Sequence, residues 1–301
     1  MITNKQKITV LDGGMGQELL KRSKGEVTPL WSTQVMIDEP EIVRDLHIDF
    51  IRAGARVIVL NAYTMTPERL ARDGIIEDFE ALQLAAINAA TSAWDIAAIP
   101  GVKIAGCLPP LVASYHAEVA PDYEDMLVSY GKIVAVQAPH VDMFLCETLS
   151  SIAEAKAALI AAKKSGLPVW VSLTIQDNDL GLLRSGEKLS DAVAMLDENG
   201  ADAKFLNCSK PEFITAALPI LDTGKGPIGA YANGFTSIDS LKPGGVVTSL
   251  ESRSDLGPEA YAEFALEWAK QGVEIIGGCC EVGPEHIAVM AKRLAEEGYS
   301  V

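Results

Sequence analysis

Short apolar segments recur along the chain and alternate with longer amphipathic ones. Eight short runs rich in β-branched and other apolar residues cover positions 8–11, 57–60, 102–107, 141–146, 169–174, 203–206, 228–231 and 273–276. These runs are largely apolar along their length, which is typical of parallel strands that are buried on both faces. The hydrophobic pattern therefore predicts eight buried parallel strands.

Most segments between these strands show helical periodicity. In the first of them, Asp38 is predicted to cap a helix that has Pro40 in its first turn. Further helices are predicted at about 76–98, 122–138, 151–164, 190–199, 211–221 and 258–271, with a last helix beginning near Pro284. Residues 232–253 form one long irregular segment rich in Gly and Ser. Eight strand–helix units in 301 residues predict a (β/α)8 TIM barrel that occupies residues 1–301 as a single domain.

An open, doubly wound sheet is the alternative arrangement of the same units. Such a sheet usually carries a glycine-rich fingerprint after its first strand and an acidic residue near the end of its second. The first turn here reads DGGMG at 12–16, which fits that fingerprint only loosely. No acidic residue ends the second predicted strand, so the closed barrel is favoured.

Charge and composition narrow the classes of partner. The chain has 41 acidic and 25 basic residues and a formal net charge of −16, which disfavours binding to nucleic acid or to an anionic membrane surface. No apolar run approaches the roughly 20 residues of a membrane span, and residues 1–7 are too polar for a signal peptide. The five cysteines, an odd number, are expected to be reduced thiols. These features together predict a cytoplasmic protein, with the oligomeric state left open.

Polar and sulfur-bearing residues collect where the predicted strands end. In a barrel of this kind the catalytic groups lie at the C-terminal ends of the strands. The strand-end residues of interest are Asp12, Gly13, Gly14, Asn61, Tyr63, Glu147, Cys208, Asn233, Cys279 and Cys280. We expect these residues to meet at one end of the barrel.

Three of the cysteines are candidates for a metal site. Cys208 follows the sixth predicted strand, and Cys279 and Cys280 follow the eighth. Three thiolates that leave a fourth position open form a zinc site able to bind a substrate. Gly277 and Gly278 are expected to let the backbone bend so that both neighbouring sulfurs face one metal. The alternative is that these are ordinary buried cysteines, as predicted for Cys107 and Cys146 within the strand runs.

Two carboxylates, Asp12 and Glu147, end different strands. They fit either a general acid/base pair or a clamp for a substrate ammonium group. A third reading is that Asp12 only caps the turn that follows it. The turn at Gly13 and Gly14 exposes backbone N–H groups suited to a carboxylate. Used together, these groups would recognise an α-amino acid.

The strand-end motifs resemble the homocysteine S-methyltransferase family. The matching segments are LDGGMGQEL at 11–19, NAYTMTPERL at 61–70, NCSKPE at 207–212 and GGCCEVGPEHI at 277–287. They occur in family order over nearly the whole chain. The resemblance implies a (β/α)8 barrel, zinc held by Cys208, Cys279 and Cys280, and Asp12 and Glu147 as ligands of the homocysteine amino group.

The resemblance also bears on the methyl donor. Members of the family use S-methylmethionine, betaine, S-adenosylmethionine or other methylated compounds, and the compact chain is most similar to the S-methylmethionine branch. Such a donor is a cation, which aromatic faces attract; Trp31 and Tyr63 are therefore predicted to form its wall. Asn61 and Asn233 complete the predicted substrate-binding residues, together with Gly13 and Gly14.

Other functions for the same residues stay open. A zinc–thiolate barrel could instead bind thiols or sense redox state, with Cys279 and Cys280 forming a vicinal disulfide. The acceptor could also be another small thiol or a selenol, which the sequence does not distinguish from homocysteine.

Overall fold

The computed structural model describes residues 6–25, 30–245 and 250–301. Part of the N-terminal segment 1–7 and part of the irregular segment 232–253 therefore lie outside the described residues. The strands are β1 (Thr9–Val10), β2 (Val57–Val59), β3 (Lys103–Leu108), β4 (Met143–Leu149), β5 (Val169–Leu173), β6 (Ala203–Asn207), β7 (Ile228–Tyr231) and β8 (Ile275–Ile276). They pair in the order β1-β8-β7-β6-β5-β4-β3-β2, and every pair is parallel.

The sheet closes between its first and second strands. A parallel bridge joins Leu11 to Val57. Backbone hydrogen bonds run from Asp12 N to Val57 O at 3.0 Å and from Arg56 N to Val10 O at 2.7 Å. This closure confirms the (β/α)8 barrel and rules out the open, doubly wound sheet, which has two free edges.

Helices follow each strand and surround the barrel. They are α1 (Met15–Arg22), α2 (Ser32–Asp38), α3 (Pro40–Ala53), α4 (Pro67–Arg72), α5 (Phe79–Ala97), α6 (Tyr123–Gln137), α7 (Ile152–Lys163), α8 (Leu189–Glu198), α9 (Pro211–Leu221), α10 (Pro258–Lys270) and α11 (Pro284–Glu296). The bounds of α9 agree with the prediction from periodicity. The short helices α1, α2 and α4 were not predicted, because six to eight residues give too few turns for a periodic pattern.

One predicted helix cap is wrong. Asp38 is the last residue of α2, and Glu39 occupies the N-cap position of α3 without a side-chain capping bond. Pro40 stands in the first turn as expected, where its missing N–H removes no hydrogen bond. The error arose because α2 and α3 are separated by only one residue, so the cap-like Asp38 belongs to the preceding helix.

An irregularity in β4 positions the strand end that carries Glu147. The pairing of β4 with β5 shifts register between Cys146 and Leu149, and Thr148 has a positive φ of 60°. Asn207 at the end of β6 holds this bend, since its Nδ2 donates to Thr148 Oγ1 at 2.8 Å and its Oδ1 accepts from Thr148 N at 3.1 Å. Glu147 consequently lies within the strand, and its side chain lines the cavity at the end of the barrel.

Within the described ranges, we find no helix with the length and apolar character needed to cross a membrane.

Candidate active site

A cavity of about 870 Å³ opens at the C-terminal ends of the strands. It is lined by most of the site residues predicted from the sequence: Asp12, Gly13, Gly14, Trp31, Asn61, Tyr63, Glu147, Cys208, Cys279 and Cys280. Asn233 is not among the lining residues; it is buried, and its Oδ1 accepts a hydrogen bond from Phe235 N at 3.3 Å. The structure thus brings ten of the predicted residues to one cavity, while Asn233 shapes the turn behind it.

The sulfur atoms of Cys208, Cys279 and Cys280 converge at one side of this cavity. All three Sγ atoms lie within 4.8 Å of one another. Cys208 and Cys279 are joined as a disulfide, and Cys280 is free. The vicinal Cys279–Cys280 pairing considered from the sequence is therefore not the one present. Burial raises the pKa of the Cys280 thiol to about 12.

The glycines before the cysteine pair are required by close packing. Neither Gly277 nor Gly278 has a positive φ. A Cβ at Gly277 would collide with Leu11 Cβ, and one at Gly278 would collide with Val282 Cγ1. The absence of a side chain at Gly277 therefore allows the end of β8 to pack directly against the end of β1, and its absence at Gly278 leaves room for Val282 within the same turn.

Two glycines in the turn after β1 also pack closely against the turn after β8. A Cβ at Gly13 would collide with the carbonyl oxygen of Val282, and one at Gly14 with that of Cys279. Gly14 N donates to Val282 O at 2.9 Å, so this N–H is already used within the protein. The first turn of α1 has no side-chain cap, and Met15, Gly16 and Gln17 also line the cavity.

The two predicted carboxylates both lie in a poorly hydrated setting. Asp12 is 4% exposed, and its Oδ2 accepts a hydrogen bond from Val59 N at 2.8 Å. Burial raises the pKa of Asp12 well above its usual range, and the charge of Glu147 adds to this rise. Burial likewise raises the pKa of Glu147 to about 7. Two neighbouring carboxyl groups that resist ionisation favour a cationic ligand between them.

Cys107 takes part in this arrangement, although it was predicted to be only a core residue. It is 1% exposed, and its Sγ–H donates to Glu147 Oε1 at 3.1 Å. Burial raises the pKa of the Cys107 thiol, and the charge of Glu147 raises it further. The thiol therefore remains protonated and can keep donating to the carboxylate. The strand pattern showed that Cys107 is buried but not that β3 places it opposite Glu147.

Tyr115 was also missed. It follows β3 with a positive φ of 69°, and its hydroxyl donates to Cys208 Sγ at 3.3 Å. The guanidinium of Arg184 lies over its ring at 5.5 Å from the centroid. Tyr115 lies in an irregular connection whose sequence has no helical or strand pattern, so only the fold shows that it reaches the cysteines.

Both residues predicted to form the aromatic wall, Trp31 and Tyr63, line the cavity. The Tyr63 hydroxyl hydrogen-bonds to Ser114 Oγ at 2.8 Å. One face of Tyr63 already carries the Arg69 guanidinium, 5.4 Å from the ring centroid. Asn61 lies beside this wall and donates from Nδ2 to Ser32 O at 3.2 Å, which fixes the start of α2.

Several buried donors around the cavity lack partners. Gln17 Nε2, Trp31 Nε1 and the Tyr231 hydroxyl have no hydrogen-bond partner among the described residues. All three residues line the cavity. Buried polar atoms without partners are costly and are usually satisfied by solvent or a ligand. These three donors can therefore bind a molecule that carries hydrogen-bond acceptors.

Comparison with known proteins identifies relatives of the whole barrel. The sequence model described as homocysteine S-methyltransferase matches residues 9–294. The homocysteine S-methyltransferase of Escherichia coli strain K12 is 30% identical, with 97% of each chain covered. Crystal structures of the E. coli homocysteine methyltransferase MmuM superpose with a TM-score of 0.80 in the metallated form, at 28% identity, and 0.80 in the oxidized form, at 27% identity. Each covers 96% of this chain and 97% of the E. coli chain.

The raised pKa of Glu147 predicts a pH-dependent cost to stability. The folded carboxyl holds its proton up to about pH 7, whereas its ordinary pKa is 4.5, so stability falls as pH rises between these values. Glu147→Gln should raise the melting temperature of the ligand-free protein more at pH 8 than at pH 4.5. The change expected is about 2–4 °C for each kcal/mol relieved. Thermal unfolding at both pH values measures it. Glu198→Gln, at an exposed site at the end of α8, is the matched control; an equal gain at both pH values for Glu147→Gln would contradict the assignment.

Proposed function

The chain belongs to the homocysteine S-methyltransferase family and is an enzyme that transfers a methyl group to homocysteine, and we propose that Cys208, Cys279 and Cys280 bind zinc for this reaction. S-methylmethionine is proposed as the preferred donor, with S-adenosylmethionine, betaine or another sulfonium as alternatives. The observation that carries the metal proposal is the convergence of the three sulfur atoms at the cavity. The product of transfer to homocysteine is methionine.

The donor set fits zinc. Three cysteine sulfurs within 4.8 Å of one another suit a tetrahedral site with Zn–S distances of ~2.3 Å and one open position. Reduction of the Cys208–Cys279 bond is required before all three sulfurs can act as thiolates. When bound, zinc would keep the acceptor sulfur as a thiolate at neutral pH, where a free thiol with a pKa of ~8.5 is mainly protonated.

Residues on β1 and β4 would bind the amino-acid end of homocysteine. Asp12 and Glu147 supply two carboxylates for the ammonium group, and binding of that cation offsets the cost of ionising them in a buried setting. The uncapped first turn of α1, beginning at Met15, offers backbone N–H groups for the α-carboxylate. These contacts would leave the thiol of homocysteine directed towards the three cysteines.

The transfer itself then depends on alignment. A sulfonium releases its methyl group and leaves as a neutral thioether, so no acid is needed at the leaving group. Asp12 and Glu147 are accordingly proposed as binding groups rather than as an acid/base pair. Holding the acceptor sulfur in line with the donor methyl lowers the barrier by reducing the entropy lost in the reaction.

The aromatic side of the cavity supports a cationic donor. Trp31 and Tyr63 both line the cavity, and Arg69 lies over one ring face of Tyr63. Cation–π contacts of this kind contribute about 0.5–2 kcal/mol each. Burial raises the pKa of the Tyr63 hydroxyl, so the phenol remains neutral beside the donor.

One observation supports a second function for the same residues. Cys208 and Cys279 are paired as a disulfide, which supports a protein that senses redox state or binds thiols. Another small thiol or a selenol is the alternative acceptor. We further propose a cytoplasmic location, because binding of metal by three thiolates requires reducing conditions. We also propose that the protein has no nucleic-acid partner, because its net charge is −16.

Loss of one cysteine should remove the metal. The reduced wild-type protein is expected to contain about one zinc per chain, and Cys208→Ala should lose both zinc and methyl transfer. Cys146→Ala is the control, since Cys146 is fully buried in β4 and is not one of the three clustered cysteines. Elemental analysis and a methionine assay measure the two properties. Full activity of zinc-free Cys208→Ala protein would refute the proposal, and reversible oxidation without any transfer activity would favour the redox function.

The ammonium clamp predicts a change in acceptor binding. Glu147→Ala should weaken productive binding of homocysteine by about 2–4 kcal/mol, because a buried charged partner is lost. The effect should appear mainly in the KM for homocysteine, with zinc content retained. In wild type, kcat/KM for homocysteine should also fall as pH drops below about 7, where Glu147 becomes protonated. An unchanged KM in Glu147→Ala would show that this carboxylate has only a structural role.

The aromatic wall predicts an effect specific to the donor. Trp31→Ala should weaken a cationic donor by about 1–2 kcal/mol and should affect homocysteine less. Trp31→Phe keeps a π face and should restore part of the loss, while Trp94→Ala on α5 is a control distant from the cavity. Steady-state kinetics with S-methylmethionine, S-adenosylmethionine, betaine, dimethylsulfoniopropionate and methyltetrahydrofolate provide the test. Turnover of methyltetrahydrofolate alone would reject a cationic donor.

A further inference from the structure

A second cavity of about 300 Å³ adjoins the aromatic side of the active site. It shares Trp31, Ser114 and Leu241 with the main cavity, so the two spaces are neighbours. Its remaining lining residues are Arg69, Arg72, Val112, Ala113, Lys242, Gly244 and Gly245. Among the described residues, three cations and no acidic residue line this space, in a chain whose net charge is −16. We call this second cavity the cationic cleft.

Arg69 is the buried charge of the cationic cleft. The residue is 6% exposed, and its Nη2 donates to Pro110 O at 3.0 Å. Its guanidinium lies over the ring of Tyr63. Nε has no hydrogen-bond partner, and no carboxylate pairs with Arg69 among the described residues. Burial lowers the pKa of Arg69, as expected for a cation removed from water without an anionic partner.

The other two cations differ in how they are neutralised. Arg72 is paired with Asp73, with Nη2 to Oδ2 at 2.6 Å. Lys242 is exposed at the rim, in the segment that follows Leu241. Arg69 and Lys242 are thus the positive charges of the cleft for which the described residues supply no carboxylate. A buried guanidinium is normally paired, so its missing partner is expected to come from a ligand.

We propose that the cationic cleft binds a carboxylate of the methyl donor, with Arg69 as its principal ligand and Lys242 at the rim. This inference rests on the proposed function, because it adds a second anchoring point to the donor that Trp31 and Tyr63 hold. The onium group would face the aromatic wall, and a short carbon chain would lead its carboxylate past Ser114 into the cleft. The cleft would thus distinguish onium donors that carry a carboxylate from simple alkyl sulfoniums.

The experiment compares two donors, S-methylmethionine and S-methylmethioninol. They differ only in that a hydroxymethyl group in S-methylmethioninol replaces the carboxylate of S-methylmethionine. In wild type, kcat/KM should be at least about 10-fold higher for the carboxylate donor, the value of one charge-assisted hydrogen bond. Arg69→Gln should reduce this ratio towards one, and Arg69→Lys should retain part of it. Lys242→Gln should also lower the ratio. Because Lys242 is exposed, this substitution carries less risk to folding than Arg69→Gln, which removes the hydrogen bond from Arg69 to Pro110 O. Arg44→Gln, at a partly exposed site on α3, should leave the ratio unchanged.

The outcomes separate this proposal from the proposed function. A wild-type ratio near one would overturn the carboxylate subsite while leaving sulfonium transfer in place. A rise in the KM for homocysteine in Arg69→Gln, with the KM for the donor unchanged, would also overturn it, because the carboxylate bound would then be that of the acceptor. If neither sulfonium is a substrate, the proposed donor class fails. Equilibrium dialysis with labelled S-methylmethionine then decides the cleft separately: binding lost in both Arg69→Gln and Lys242→Gln supports it, and binding retained in both rejects it.

Discussion

The close packing of the turn after β1 against the turn after β8 determines where the functional groups of this barrel meet. Gly13 and Gly14 on one side, and Gly277 on the other, leave no room for a Cβ against the opposite turn. Without this contact, Cys279 and Cys280 would stand further from both Cys208 and the first turn of α1. The position of the candidate metal site is thus a consequence of how tightly the last strand closes on the first.

Buried charged side chains, which destabilise the folded protein, are concentrated at the same end of the barrel. Asp12 and Glu147 are held where burial raises their pKa values, and Arg69 is buried with no carboxylate partner in the part of the chain that the structure describes. Tyr63 contacts Arg69 on one ring face and lines the same cavity as Asp12 and Glu147. Each of these buried charged groups is suited to a ligand group of opposite charge. Such sites are destabilising in isolation and are retained because they bind.

The sequence was sufficient for the barrel and for most of the residues around its cavity. Continuous apolar runs identify strands buried on both faces, and strand-end positions bring Asp12, Glu147 and the cysteines to one end, because all parallel strands point the same way. The contacts of Cys107, Tyr115 and Arg69 could not be predicted. They join segments that are far apart in the chain or lie in irregular connections, where local periodicity carries no information about partners. The misplaced cap at Asp38 has a local cause, since two helices there are separated by a single residue.

The groups proposed for the acceptor and those proposed for the donor are carried by different parts of the barrel. Asp12, Glu147 and Cys208 lie in or directly after strands whose ends are tied to one another by hydrogen bonds. Trp31 and Leu241, in contrast, lie in the connections between strands and helices. Substitutions and insertions accumulate far more readily in connections than in barrel strands. On this assignment, descendants of one ancestral barrel can exchange one methyl donor for another while continuing to make the same product.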